Sequence, residues 1–153
     1  MQSTSMPAPQ TRSSVLVVDD DALIRRQLVL LLELAGYQVQ SAGSGAQALL
    51  MLSFQPYEIV LTDWEMPNMD GPSLCRALRL RAGGRNTYMM ILSVRGHEAD
   101  MLIGLAAGAD DYLVKGAPAE ELLERIAVGR RTATPDPAIA LQPGQAGFSW
   151  THT

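Results

Sequence analysis

Short runs of consecutive apolar, strand-favouring residues recur along this chain, and each leads into a segment with helical spacing. Val15-Leu16-Val17-Val18 is the first run. It precedes residues 22–35, where Ile24, Leu28, Leu31, Leu32 and Ala35 fall at helical intervals. Residues 37–41 form the second predicted strand, and Ala48, Leu49 and Leu52 lie on the helix after it. Ile59-Val60-Leu61-Thr62, residues 88–92 and residues 111–114 are the later strands. Helices over 72–81, 98–107 and 118–130 follow them in turn, the last with Leu122, Leu123 and Ile126 facing inward. A strand apolar at every position is buried on both faces. Strands alternating with helices imply a parallel sheet wrapped by helices through right-handed crossovers. The predicted fold is α/β: a doubly wound five-stranded parallel sheet with five helices.

Local punctuation supports these boundaries. Asp21 and Ser44 are predicted helix N-caps, because a short oxygen-bearing side chain satisfies exposed N–H groups. Gly36 and Gly108 suit helix C-terminal stops. Pro72 and Pro118 suit a first helical turn. Residues 1–13 and 132–153 are rich in Ser, Thr, Pro, Gln or Gly and are predicted as tails, the second alternatively as the start of a linker. The structured domain is placed at 14–131. Phe148 and Trp150 belong to the second tail, and His152 is given no role.

Composition narrows the function classes. With 47% apolar residues the chain can bury a full core, and its formal net charge of −4 argues against a nucleic-acid-binding surface. The single cysteine, Cys75, has no internal disulfide partner and fits plain packing in a reducing compartment. No apolar run reaches the roughly 18–20 residues of a membrane span, and residues 1–14 lack the apolar stretch of a signal peptide. A cytoplasmic location is expected.

In a parallel α/β sheet, chemistry collects at the carboxyl ends of the strands. Strand one runs into Asp19, Asp20 and Asp21, strand three into Asp63, strand four into Ser93 and strand five into Lys115. Separated segments thus bring Asp19, Asp20, Asp63 and Lys115 to one edge. Clustered carboxylates repel each other unless a cation joins them. Oxygen ligands at a solvent-facing edge suit Mg²⁺. Asp63 is then an ionised nucleophile toward phosphorus, and Lys115 and Ser93 are placed to stabilise the transferring group.

Val15-Leu-Val-Val-Asp-Asp20, Leu61-Thr-Asp-Trp-Glu-Met-Pro-Asn-Met-Asp-Gly71, Leu92-Ser93 and Asp111-Tyr-Leu-Val-Lys115 resemble the motifs of two-component response-regulator receiver domains. The resemblance spans about residues 14–131 and implies a flavodoxin-like sheet of strand order 2-1-3-4-5. It implies that Asp63 is the phosphoacceptor. Asp20 and Asp63 would ligate Mg²⁺ directly, Asp19 through water, and Glu65 through its backbone carbonyl. Ser93 and Tyr112 take the switch positions, with Tyr112 rotating inward on phosphorylation. The implied donor is the phosphohistidine of a histidine kinase or histidine phosphotransfer protein. The implied readout is a downstream effector at the face of helix four, strand five and helix five, or a homodimer. A stand-alone chain and a module fused to an effector such as a diguanylate cyclase both fit.

Gly116 departs from the family, which usually carries proline there, often after a cis bond. A cis bond before a non-proline residue costs about 2.5–4 kcal/mol, so a trans bond is expected. Glu65 and Arg95 are predicted either to pair across the site and restrict water or to stand as separate solvated side chains. Leu30 and Leu34 exceed what the inward face of the first helix needs and fit either packing or kinase docking, with Arg25 or Arg26 as partner contacts. His97 is read as a loop residue, since no second histidine or cysteine lies near it. Two rivals remain: a haloacid-dehalogenase-type phosphohydrolase, and a degenerate receiver acting as a phosphorylation-independent scaffold. The first normally has Asp two residues after its nucleophile, where this chain has Glu65.

Overall fold

The computed structural model describes residues 13–81 and 83–133. The order is β1 (Ser14–Val18), α1 (Ala22–Leu34), β2 (Gln38–Ala42), α2 (Gly45–Phe54), β3 (Ile59–Asp63), α3 (Gly71–Arg79), β4 (Tyr88–Ser93), α4 (Glu98–Ala106), β5 (Asp111–Val114) and α5 (Ala119–Ala133). A short 3₁₀ turn at Gly84–Asn86, not anticipated from sequence, sits between α3 and β4. The strands form one sheet in the order β2-β1-β3-β4-β5, with every neighbouring pair parallel. This is the expected architecture. The expected tails, with Phe148, Trp150 and His152, lie outside the described residues except at their inner ends: Ser13 is buried and its carbonyl accepts the Gln38 N–H at 3.0 Å, and Thr132 and Ala133, expected in the second tail, instead continue α5.

Strand periodicity divides the core in two. Leu16, Val18, Val60, Met89, Ile91 and Tyr112 point to one face and pack with Ala48 of α2 and Leu74, Cys75 and Leu78 of α3. Val15, Val17, Ile59, Leu61, Met90, Leu92 and Leu113 point to the other and pack with Leu32 of α1 and Leu122 and Ile126 of α5. Successive strand side chains alternate sides, so an unbroken apolar run serves both layers. Cys75 is wholly buried, and burial pushes its thiol up to about 12, which leaves it an inert packing group.

Asp21 caps α1 by accepting the Leu23 and Ile24 N–H groups at 2.9 and 3.2 Å, and Ser44 caps α2 by accepting the Gln47 N–H at 3.1 Å. Ala35, expected on the inward face of α1, is instead its exposed C-cap, because the helix ends one residue earlier. Leu34 is 87% exposed and Leu30 52%, so among the described residues Leu34 is left almost uncovered and Leu30 is covered only in part.

Two ionic clusters tie down the opposite end of the sheet. Arg79 donates to the carbonyls of Gly108, Gly84 and Thr87 and to the Asp110 carboxylate, all within 2.8 Å. Asp111, 2% exposed, accepts from Tyr88, Arg125 and the Tyr112 N–H. Burial raises the Asp111 pKa, and these donors oppose that rise.

Candidate functional site

Parallel register builds the site. Val18 pairs with Thr62, Asp63 with Leu92 and Ser93 with Val114, so the next residues of β1, β3, β4 and β5 emerge along one edge. Asp19, Asp20, Asp63, Ser93 and Lys115 therefore meet there, as predicted. One carboxylate oxygen from each of Asp19, Asp20 and Asp63 lies within 4.8 Å of the other two. Lys115 closes the group: its Nζ is 3.1 Å from Asp63 Oδ1 and 3.3 Å from Asp19 Oδ2.

The three carboxylates differ in freedom. Asp19 is 1% exposed; its Oδ1 accepts the Asp21 N–H at 2.9 Å and its Oδ2 faces Lys115. Asp20 is exposed and Asp63 partly so. Arg25, expected as a partner contact, instead turns toward the site and donates to the Asp19 carbonyl at 2.7 Å, while Arg26 is exposed. Its place one turn into the helix after the acidic run was the available signal.

Charge follows burial. Desolvation raises the pKa of Asp63, the Lys115 hydrogen bond opposes that rise, and the Asp19 charge adds to it. Burial disfavours the Lys115 ammonium, but Asp63 and Asp19 outweigh burial and hold its pKa above the usual lysine value. Lys115 is thus a fixed cation facing two carboxylates.

A second layer surrounds this edge. Arg95 Nε and Nη2 donate to Glu65 Oε1 at 3.0 and 2.7 Å, so of the two alternatives the side chains pair. Its guanidinium lies 5.2 Å from the centre of the Trp64 ring and 3.6 Å from Asp100 Oδ1 on α4. Trp64, to which sequence alone gave no role beyond its motif, meets Tyr112 edge-on at 5.9 Å. The Arg95 N–H donates to Ser93 Oγ at 3.0 Å, and the Tyr112 hydroxyl donates to the Arg95 carbonyl at 2.6 Å. Tyr112 is 0% exposed, so the inward position that the resemblance assigns to the phosphorylated form is the one it holds here. His97 flanks α4 as its N-cap without a side-chain capping bond.

A strand order of β2-β1-β3-β4-β5, carrying three carboxylates and an opposed lysine at its carboxyl edge, defines a class of signalling receiver. Residues 15–127 match the family described as the response regulator receiver domain. Response regulator MprA of Mycolicibacterium vanbaalenii is 39% identical over 122 residues, covering 80% of this chain and 52% of that protein. The chain spans about half the length of the curated relatives it matches. The Francisella response regulator 1452 receiver domain superposes with a TM-score of 0.74 at 32% identity, covering 80% of this chain and 100% of that one. The chemotaxis response regulator CheY4 of Vibrio cholerae superposes with a TM-score of 0.74 at 30% identity, covering 78% and 99%. The chain belongs to the receiver domains of two-component response regulators, a family of signalling switches. Among the described residues, no helix is long and apolar enough to cross a membrane.

Proposed function

We propose that this receiver switches by accepting a phosphoryl group on Asp63 from the phosphohistidine of a histidine kinase or histidine phosphotransfer protein. The observation that carries the reading is the Lys115 ammonium bridging Asp63 and Asp19 across the sheet edge. The donor set suits a small, hard cation: three carboxylate oxygens within 4.8 Å of one another. Asp20 and Asp63 would hold Mg²⁺ directly, Asp19 through water and Glu65 through its backbone carbonyl. When bound, Mg²⁺ supplies positive charge that neutralises the phosphoryl oxygens.

The chain's own residues account for the rest. An Asp63 carboxylate oxygen attacks phosphorus, the new O–P bond forms as the P–N bond to the donor imidazole breaks, and that imidazole keeps the electron pair. Lys115 stabilises charge on one equatorial oxygen and the Ser93 hydroxyl hydrogen-bonds another. Ser93 and Tyr112 respond as a linked pair, because Arg95 holds one through its N–H and the other through its carbonyl. The change biases the α4–β5–α5 face toward an effector or a second copy. A cytoplasmic location belongs to the same proposal.

The test is incubation with acetyl phosphate. Stoichiometric, Mg²⁺-dependent labelling at Asp63 is expected. Multiple turnovers on a generic phosphate ester would instead establish a hydrolase, and absence of any label would establish a phosphorylation-independent scaffold. In the same assay, Arg95→Ala is expected to shorten the lifetime of the aspartyl phosphate. The expectation is supported by the position of the Arg95–Glu65 pair at the rim beside Asp20 and Asp70, where it would restrict water. An unchanged lifetime would remove that gate.

A further inference from the structure

The chemistry proposed above needs Lys115 at a fixed point, and the chain just beyond it has an unusual torsion. Val114, Lys115, Gly116 and Ala117 form a tight turn, closed by the Ala117 N–H donating to the Val114 carbonyl at 3.2 Å. Gly116 occupies its third position with φ of +99°. A type II turn requires positive φ at this position, which a β-branched residue adopts only with strain. No cis peptide bond occurs among the described residues.

Both ends of this turn are held. Upstream, the Lys115 N–H donates to the Ser93 carbonyl at 2.7 Å, extending the β4–β5 ladder. Downstream, Leu122 and Ile126 bury α5 against the sheet. A change in the Gly116 torsion must therefore be absorbed between them, in the few residues from Lys115 to the start of α5, which include Lys115 itself. An ideal Cβ built on Gly116 meets nothing within 4 Å. Glycine is required here by its backbone and not by lack of space.

We infer that Gly116 is a positioning residue: its left-handed torsion in the β5–α5 turn aims Lys115 at Asp63 and Asp19. The inference rests on the reading of Asp63 as phosphoacceptor. It predicts that side-chain size at position 116 is irrelevant and tolerance of positive φ decides. Asparagine tolerates that region and valine does not.

The experiment compares Gly116→Val, Gly116→Asn and Lys115→Ala, alone and combined, in the full chain. Gly116→Val is expected to slow labelling by acetyl phosphate by about tenfold to a hundredfold, the scale of a 1 Å misplacement. Gly116→Asn restores most of the rate. Mg²⁺ affinity, read from Trp64 fluorescence, stays near the parent value in both, because Asp19, Asp20 and Asp63 are untouched. In the Lys115→Ala background, Gly116→Val adds little further loss, since the two changes remove one interaction. Equal slowing in both backgrounds, or equal rates for the Asn and Val variants, would overturn the inference. A separate readout needs no labelling. The ¹⁵N resonance of the Lys115 ammonium, protected by Asp63 and Asp19, is expected in the parent and the Asn variant and lost in the Val variant; its survival in the Val variant would also overturn it. A parent chain that accepts no label but shows this resonance pattern would count against Asp63 as phosphoacceptor and leave the role of Gly116 standing.

Discussion

Replacing Asp63 with asparagine is expected to leave no covalent phosphate on the chain after incubation with acetyl phosphate and Mg²⁺. An amide oxygen carries no net charge and is a poor nucleophile toward phosphorus, whereas the other members of the site stay in place. Lys115 retains Asp19, 3.3 Å away, and Asp19 retains the Asp21 N–H. The loss is chemical and not a consequence of unfolding, and thermal denaturation checks this. Burial, followed by the Asp19 charge, raises the Asp63 pKa above its usual 3.8, with Lys115 opposing. A carboxyl group whose pKa is raised by folding contributes most to stability below its unfolded value, and that contribution is lost as pH rises through the folded value. The metal-free Asn variant is therefore expected to melt no lower than the parent at pH 7, and its relative stability falls as the pH approaches 3.8. Adding Mg²⁺ at 100 times its dissociation constant should stabilise the parent by about 2.7 kcal/mol and the variant by less. A variant that still acquires label, or that melts well below the parent at pH 7 without metal, would contradict the assignment.

The second large effect is expected at Gly71, where the fold supports the site from behind. Its N–H donates to the Trp64 carbonyl at 2.7 Å, closing the loop that joins β3 to α3. A Cβ at this position would lie 2.5 Å from the Asp63 carbonyl oxygen and 3.1 Å from Trp64 Cα. Both neighbours are backbone, so no side-chain rotation relieves the overlap. Gly71→Ala must push α3 away from β3, and α3 carries Leu74, Cys75 and Leu78 into the core. Overpacking of this kind costs about 3 kcal/mol, which lowers the melting temperature by roughly 10 °C for a domain of this size. Alanine for glycine on a compatible backbone stabilises by about 0.4–1 kcal/mol, so the sign of the change is itself diagnostic. Chemical denaturation with an unchanged m-value would confirm a loss of native stability, and slower labelling should accompany it because the shifted backbone belongs to Asp63.

Much of this fold is legible in the chain because its signals are local. Val15 to Val18 are apolar at every position, which only a strand covered on both faces requires. The caps at Asp21 and Ser44 act over three residues, and they appear where predicted. Boundaries shift by one or two residues where a cap replaces a helical residue, as at Ala35, or where a turn opens early, as at Gly71. The acidic edge is legible for a related reason. Strands of a parallel sheet end together, so Asp19, Asp63 and Lys115 converge once the strands are identified. The rest depends on contacts between distant segments. No sequence spacing indicates that Arg79 reaches three carbonyls and Asp110, and the position of Arg25 one turn past the acidic run does not by itself say that its side chain turns back to the Asp19 carbonyl. Those directions follow from where each helix lands on the sheet.

By itself, the sequence determined the layered α/β sheet, the edge on which its chemistry gathers and the residues that gather there, because hydrophobic periodicity and strand ends are properties of neighbouring residues. Tertiary structure alone decided that Tyr112 is buried against Trp64, that Arg95 joins Glu65 to the Ser93–Tyr112 pair, and that the chain turns just past Lys115 through Gly116 with φ of +99°. Each of these depends on the relative placement of β3, β4, β5 and the turn leading to α5, and packing of the whole core sets that placement.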